Sequence, residues 1–281
     1  MAEHTDPITG TAAGVPFTAL PPAGGADTPA PLVVTWHMLD APRSDAAFAA
    51  ALPLRAVPAW RIHLGMPMCG ARMVEGSMAA GLERIRDDAM LSYVDSFVRQ
   101  ATGEFPAALA ALRARFPLDD GPIGLLGGSL GGAVVLAHLI ENRFPVRAAA
   151  LVNPAVRART VVDLVEPITG PYRWTPRASE AADELDFVAR AGEFAARAPQ
   201  VPLLLVSGED DHAPLRADAA ELVAALRARY ARPEDVVLAP VTGLAHPLAE
   251  EPGIEPAPQL PIAAVVDETV TRWFRQHFTP R

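Results

Sequence analysis

The sequence predicts an α/β fold: a doubly wound, mostly parallel sheet flanked by helices, with a small cap insertion. Three observations predict it. Short apolar runs alternate with longer amphipathic ones, the pattern of a parallel sheet covered by helices. The stretch "LLGGSLGGAVVL" (125–136) joins an apolar run to a helical one through a cluster of glycines. Half of the 281 residues are apolar, enough to bury the core of one large domain.

Along the chain, the opening "PITGTAAGVPFTAL" reads as an antiparallel edge hairpin, because its glycines and prolines interrupt two short runs. Strands are expected at 31–36 ("PLVVTW"), 59–64 ("AWRIHL"), 122–128, 147–153, 201–208 and 234–241, each an apolar run too short for a helix. Helices are expected at 83–115, broken near Gly103 and Pro106, then at 130–143, 214–230 and 260–278. Two segments depart from the alternation. Residues 154–200 hold more chain than a crossover needs and read as a cap within a single domain. Residues 242–259, proline-rich and carrying His246, read as an extended loop of a length that implies a use. There is no internal repeat and no low-complexity tract.

The net charge is −9, and every basic residue is arginine. An acidic chain without a basic patch makes nucleic acid an unexpected partner and gives an anionic membrane little to attract. The single cysteine, Cys69, excludes an internal disulfide and a zinc site built on several thiolates. "MAEHTDPITGTAAG" places acidic residues and proline where a signal peptide needs a basic start and an apolar run, so a cytoplasmic protein is expected. Residues 121–140 carry no full charge over a length that would span a bilayer, but their glycines and their strand-then-helix pattern predict a buried turn instead.

Gly127-Gly128-Ser129-Leu130-Gly131 matches G-x-S-x-G, and it lies between an expected strand and an expected helix, the context the pattern requires. A serine there sits on a sharp turn that projects its hydroxyl from the end of the sheet. Such a hydroxyl becomes nucleophilic only when a base takes its proton, and the base needs an acid to orient it. Asp210 and Asp211 follow the strand at 201–208, and His246 follows the strand at 234–241, so serine, acid and histidine each stand just beyond a different strand. Spacing alone leaves either aspartate open. Among the other candidates, His212 reads as surface, His138 as packed, and His63 as either packed or lining the site.

With these residues the sequence resembles the α/β-hydrolase family, serine esterase or lipase-like, from about Leu32 to Phe278. The resemblance implies an acid in a G-x-x-D pattern, here Gly208 to Asp211, and a base in G-x-x-H, here Gly243 to His246. It assigns Ser129, Asp211 and His246 to a catalytic triad. An oxyanion hole would be formed by the backbone N–H of Leu130, following the nucleophile, and by a donor in the loop after the strand at 31–36. The family usually carries His-Gly and then that donor; this chain carries His37-Met38-Leu39, which implies Leu39, with Met38 the other candidate because methionine resists backbone angles that glycine allows. His37 then braces the loop.

Met38, Leu39, Met66, Met68 and Trp174 are candidates for an apolar acyl or alcohol pocket, since thioethers and aromatic rings suit irregular hydrophobic ligands. Cys69 has no assigned base and reads as inert. The function expected is cleavage of a small-molecule carboxylic ester through an acyl-enzyme, with no cofactor and no metal. Acyl transfer or thioester cleavage on the same triad is the alternative, and a non-catalytic binding protein of the same fold is a third. Peptide cleavage is the weaker expectation, because no gating domain is legible before the catalytic one.

Overall fold

The computed structural model describes residues 6–25 and 28–278; residues 1–5 of the stretch read for an export signal lie outside these. The opening hairpin forms as expected: β1 (Ile8–Ala12) and β2 (Val15–Leu20) pair antiparallel around Ala13-Gly14, both at positive φ. The later apolar runs become β3 (Leu32–Trp36), β4 (Trp60–Leu64), β5 (Ile123–Gly128), β6 (Val146–Val152), β7 (Leu203–Gly208) and β8 (Val236–Val241). They join one sheet in the order β1-β2-β4-β3-β5-β6-β7-β8, parallel throughout except where β2 meets β1 and β4.

The inner strands are apolar on both faces because both faces are covered. Period-two alternation sends Leu125 and Leu205 to one core and Leu126 and Val206 to the other. The first core is closed by α3 (Ser96–Arg115), α4 (Leu130–Glu141) and α8 (Ala213–Arg227), the second by α1 (Asp45–Ala51) and α9 (Pro261–Phe278).

Two expectations are corrected. The helical stretch starts earlier than 83, at α2 (Met78–Asp88), and α3 runs unbroken through Gly103 and Pro106. The irregularity lies upstream, in a wider π-helical stretch over Ala89–Asp95. Pro106 is exposed, whereas Ala101, Phe105, Ala108 and Leu109 of the same helix are buried, so packing holds the helix across the missing N–H. Helix α1 went unread because a run of alanines carries no periodicity; the Ser44 side chain caps it, accepting from Ala47 N–H at 3.0 Å.

Residues 154–200 contain three helices: α5 (Ala158–Thr169), α6 (Pro176–Glu184) and α7 (Ala191–Ala195). Arg157 ties this segment to α8 by ion pairs with Asp218 and Glu221. The stretch 121–140 is β5, a turn and the start of α4, and no described helix is long and apolar enough to cross a membrane.

Candidate functional site

Ser129 stands between β5 and α4 with φ 48° and ψ −120°, a conformation that a non-glycine residue adopts only when its surroundings enforce it. Those surroundings are specific. Ser129 N–H donates to Val152 O at 2.9 Å, and Ser129 O accepts from Gly132 and Ala155 N–H, both at 2.9 Å. A Cβ on Gly127 would fall on the Gly131 carbonyl, and one on Gly131 would fall on the Trp36 carbonyl, so the turn closes only with glycine at both places.

His246 reaches the turn from the loop after β8. Its Nε2 lies 2.9 Å from Ser129 Oγ and its Nδ1 lies 2.8 Å from Asp211 Oδ1. Asp211 Oδ1 also accepts from His212 N–H at 2.6 Å. Ser129, Asp211 and His246 are 8%, 6% and 7% exposed, so this chain of three hydrogen-bonding groups is largely screened from water. Asp210 is exposed and makes its contact through the backbone, donating N–H to Leu244 O. It is therefore Asp211 that meets the imidazole. Such an arrangement can draw the proton from a serine hydroxyl and hold the imidazole in the tautomer that accepts it.

One residue not singled out by the sequence fixes these loops. Asn153, at the end of β6 and itself at positive φ, donates from Nδ2 to Ala245 O at 2.8 Å and His246 O at 3.2 Å, while its Oδ1 accepts from Gly208 N–H at 2.7 Å. It thereby joins the strand beside Ser129 to both the acid loop and the histidine loop. The only sequence signal was a polar residue closing an apolar strand.

The loop after β3 is braced by His37. The ring is fully buried; Nδ1–H donates to Met38 O at 2.6 Å and Nε2 accepts from Met66 N–H at 3.0 Å, a pairing that requires neutral imidazole. Burial lowers its pKa to about 4, consistent with that state. Leu39 and Leu130 both line the cavity above Ser129, and Leu130 opens α4, where backbone N–H groups lack intrahelical acceptors.

That cavity measures about 500 Å³. Its walls are aliphatic and thioether side chains, among them Met68, Met73, Leu82, Ile85, Val161 and Val165, carried chiefly by the 65–88 segment and α5. Ser129, His246, His212, Asp40, Arg43 and Tyr93 are the polar and charged side chains of its lining. Of the five apolar candidates read from sequence, the structure brings Leu39 and Met68 here. Met38 and Met66 are fully buried, Met38 being packed against Gly128, where an added Cβ would come within 2.7 Å of Met38 Cγ. Trp174 lies away from the cavity, edge-on to Tyr172 at 4.8 Å and with Arg159 over its ring at 4.4 Å. Tertiary placement, which hydrophobicity does not encode, separates these methionines.

The remaining candidates fall as follows. His63 is buried, 2.8 Å from Thr35 Oγ1, and burial lowers its pKa to about 3; it does not line the cavity. His138 is packed among Trp36, Phe105 and Phe144. His212 is exposed but also reaches the cavity, its ring 5.4 Å from that of His246. Cys69 lines the cavity with its thiol pKa pushed up to about 12 by burial, which keeps it protonated and weakly reactive. Among the described residues no three His, Cys, Asp or Glu are grouped to hold a metal. Asp40 was not singled out; its Oδ2 stands 3.4 Å from His246 Nε2.

A family model described as the prolyl oligopeptidase family matches residues 100–255, more than half of the 281. The fold is similar to that of TT1662 from Thermus thermophilus, with a TM-score of 0.62 at 21% identity over 96% of this chain and 99% of that one. It also resembles an acylaminoacyl peptidase from Pyrococcus horikoshii, with a TM-score of 0.65 at 13% identity, covering 98% of this chain but 42% of the peptidase. Carboxyl esterase 2 of Tuber melanosporum gives a TM-score of 0.56 at 13% identity over 99% of this chain and 89% of the esterase. At such identities the likeness is one of fold. A search of curated proteins finds no match.

Proposed function

The chain belongs to the prolyl oligopeptidase family of α/β-fold serine hydrolases, and from that premise we propose that it cleaves carboxylic esters with an apolar acyl chain. Ser129 Oγ attacks the ester carbonyl while His246 Nε2 takes its proton; Asp211 holds the imidazole by Nδ1 and stabilises its cationic form. The backbone N–H groups of Leu130 and Leu39 receive the oxyanion. His246 then passes the proton to the departing alcohol, and the acyl group remains on Ser129. A water molecule deprotonated by His246 releases the acid. The reaction as written needs no metal or cofactor.

The observation that carries this reading is the pair of hydrogen bonds, 2.9 and 2.8 Å, linking Ser129 through His246 to Asp211 at the floor of a largely apolar cavity. Aliphatic walls favour an acyl chain, because apolar area removed from water contributes about 25 cal/mol per Å². Labelling by a fluorophosphonate probe tests it: the wild-type chain should label and hydrolyse acyl esters, and Ser129→Ala should do neither. Labelling that persists in the alanine variant would falsify the assignment.

Cleavage of an acyl amide or peptide is the second reading, favoured by the family match and by the likeness to an acylaminoacyl peptidase. The chain spans 42% of that peptidase, so the activity of the longer protein does not transfer with the fold. A matched ester and amide of one acyl group decide between the two by their ratio of kcat/KM.

A further inference from the structure

We propose that Asp40 is a specificity-determining residue that selects substrates with a positively charged leaving group. This rests on the reading of Ser129 and His246 as nucleophile and base. In that reaction His246 Nε2 delivers a proton to the departing oxygen, which must therefore come within about 3 Å of Nε2. Asp40 Oδ2 lies 3.4 Å from the same nitrogen, so whatever leaves does so beside this carboxylate.

The charge around the cavity makes the carboxylate count. Arg43, which also lines it, is engaged by the Glu251 carboxylate and by Pro252 O, so that pair closes on itself. Arg72, in the segment that supplies the methionine wall, is likewise held by Glu104 in a two-pronged ion pair. Arg84 touches Met68 Sδ at 3.7 Å and is otherwise exposed on α2. Asp40 has no arginine partner among the described residues; its ionic contact is His246. Its side chain is 51% exposed, open to a ligand yet standing at the edge of an apolar cavity whose walls focus its field.

The division of the lining follows the chain. The aliphatic wall comes from the 65–88 segment and α5, and suits the acyl group. Asp40 stands instead on the loop after β3, next to Leu39, beside the proton-delivering nitrogen. A cation on the alcohol side is attracted there, whereas a carboxylate or phosphate on the same side is repelled. After the alcohol departs, the acyl-enzyme retains no such charge, so the selection belongs to acylation and not to deacylation.

Three esters of one acyl chain test this: the choline ester, its neutral 3,3-dimethylbutyl isostere, and a carboxyethyl ester. At low ionic strength the wild-type kcat/KM should fall in that order, by about three- to thirtyfold per step, the range for a unit charge about 5 Å from a half-exposed carboxylate in surroundings between bulk water and a protein surface. In Asp40→Asn and Asp40→Ser the three values should converge to within about twofold. In wild type, 0.5 M salt should compress the spread, and the deacylation rate after the burst should be common to all three. A flat wild-type series, or an order that survives in both variants, overturns the role of Asp40. If fluorophosphonate labelling of wild-type Ser129 is intact while the series is flat, the role of Asp40 alone fails; if wild type does not label, the hydrolase reading fails with it.

Discussion

At the scale of single residues, the contrast between two adjacent aspartates shows what the site requires. Asp211 is buried against His246 Nδ1, whereas Asp210 faces solvent, although spacing after the strand admitted both. Replacing Asp211 with asparagine presents an N–H or a neutral oxygen where a carboxylate had fixed the tautomer. We expect Asp211→Asn to lower kcat by about 10³- to 10⁴-fold and Asp210→Asn to change it by less than about twofold, both measured on a soluble ester with thermal unfolding as the check on folding. Equal losses would sink the distinction. Ser129 was legible in sequence because its turn demands glycines at fixed offsets, and that demand is local. Asn153 and Asp40 were not, since the partners of Asn153 lie 55 to 93 positions away and His246 lies more than 200 positions beyond Asp40.

Among the elements, α2 and α5 decide what the cavity accepts. Both are amphipathic: α2 buries none of its residues fully, and α5 turns Val161, Leu164, Val165 and Ile168 toward the cavity. Filling this wall should act as a ruler. With Val165→Trp, activity on octanoyl and longer p-nitrophenyl esters should drop by about tenfold, the acetyl ester should be nearly unchanged, and the preferred acyl length should shorten; one added indole displaces several methylenes, each contributing about 0.8 kcal/mol when buried. A uniform loss at all lengths would mean that α5 does not line the acyl site. The extra chain of 154–200 was visible in sequence, but α5 was not resolved from it. Pro167 and the glycine after the helix masked its end, just as Pro106 suggested a break in α3 that buried neighbours prevent.

For the whole molecule, the buried histidines set the response to acid. Burial lowers the pKa of His37, His63 and His138 to about 4, 3 and 3, below the usual 6.5 of an unfolded chain. As pH falls through 6.5 the unfolded chain binds up to three protons that the folded one refuses, so stability declines by up to about 4 kcal/mol per pH unit from this source. Asp267 opposes it: burial raises its pKa to about 6, and the folded state holds its proton between that value and the ordinary carboxylate range. Asp45 and Asp163, whose carboxyl pKa values burial also raises, act in the same direction as Asp267, so about a third of the slope or more is offset. Urea unfolding should therefore show stability that is level above pH 7 and falls steadily from 6.5 to 4.5. A flat profile across that window would mean that the histidines are not held neutral.

The sequence by itself determined the sheet, its parallel sense and the strand-turn-helix carrying Ser129, because period-two apolar runs and glycine spacing are properties of neighbouring residues. Residue spacing after the strands also showed the order of serine, acid and base, and the family likeness added the choice of Asp211 and of an oxyanion donor at Leu39. Which methionine faces the cavity, which loops Asn153 ties together and that the Asp40 carboxylate stands beside His246 Nε2 were decided only by tertiary structure. Those outcomes depend on loops from separate strands converging at one end of the sheet, where packing and hydrogen bonds between distant residues set each side chain's direction.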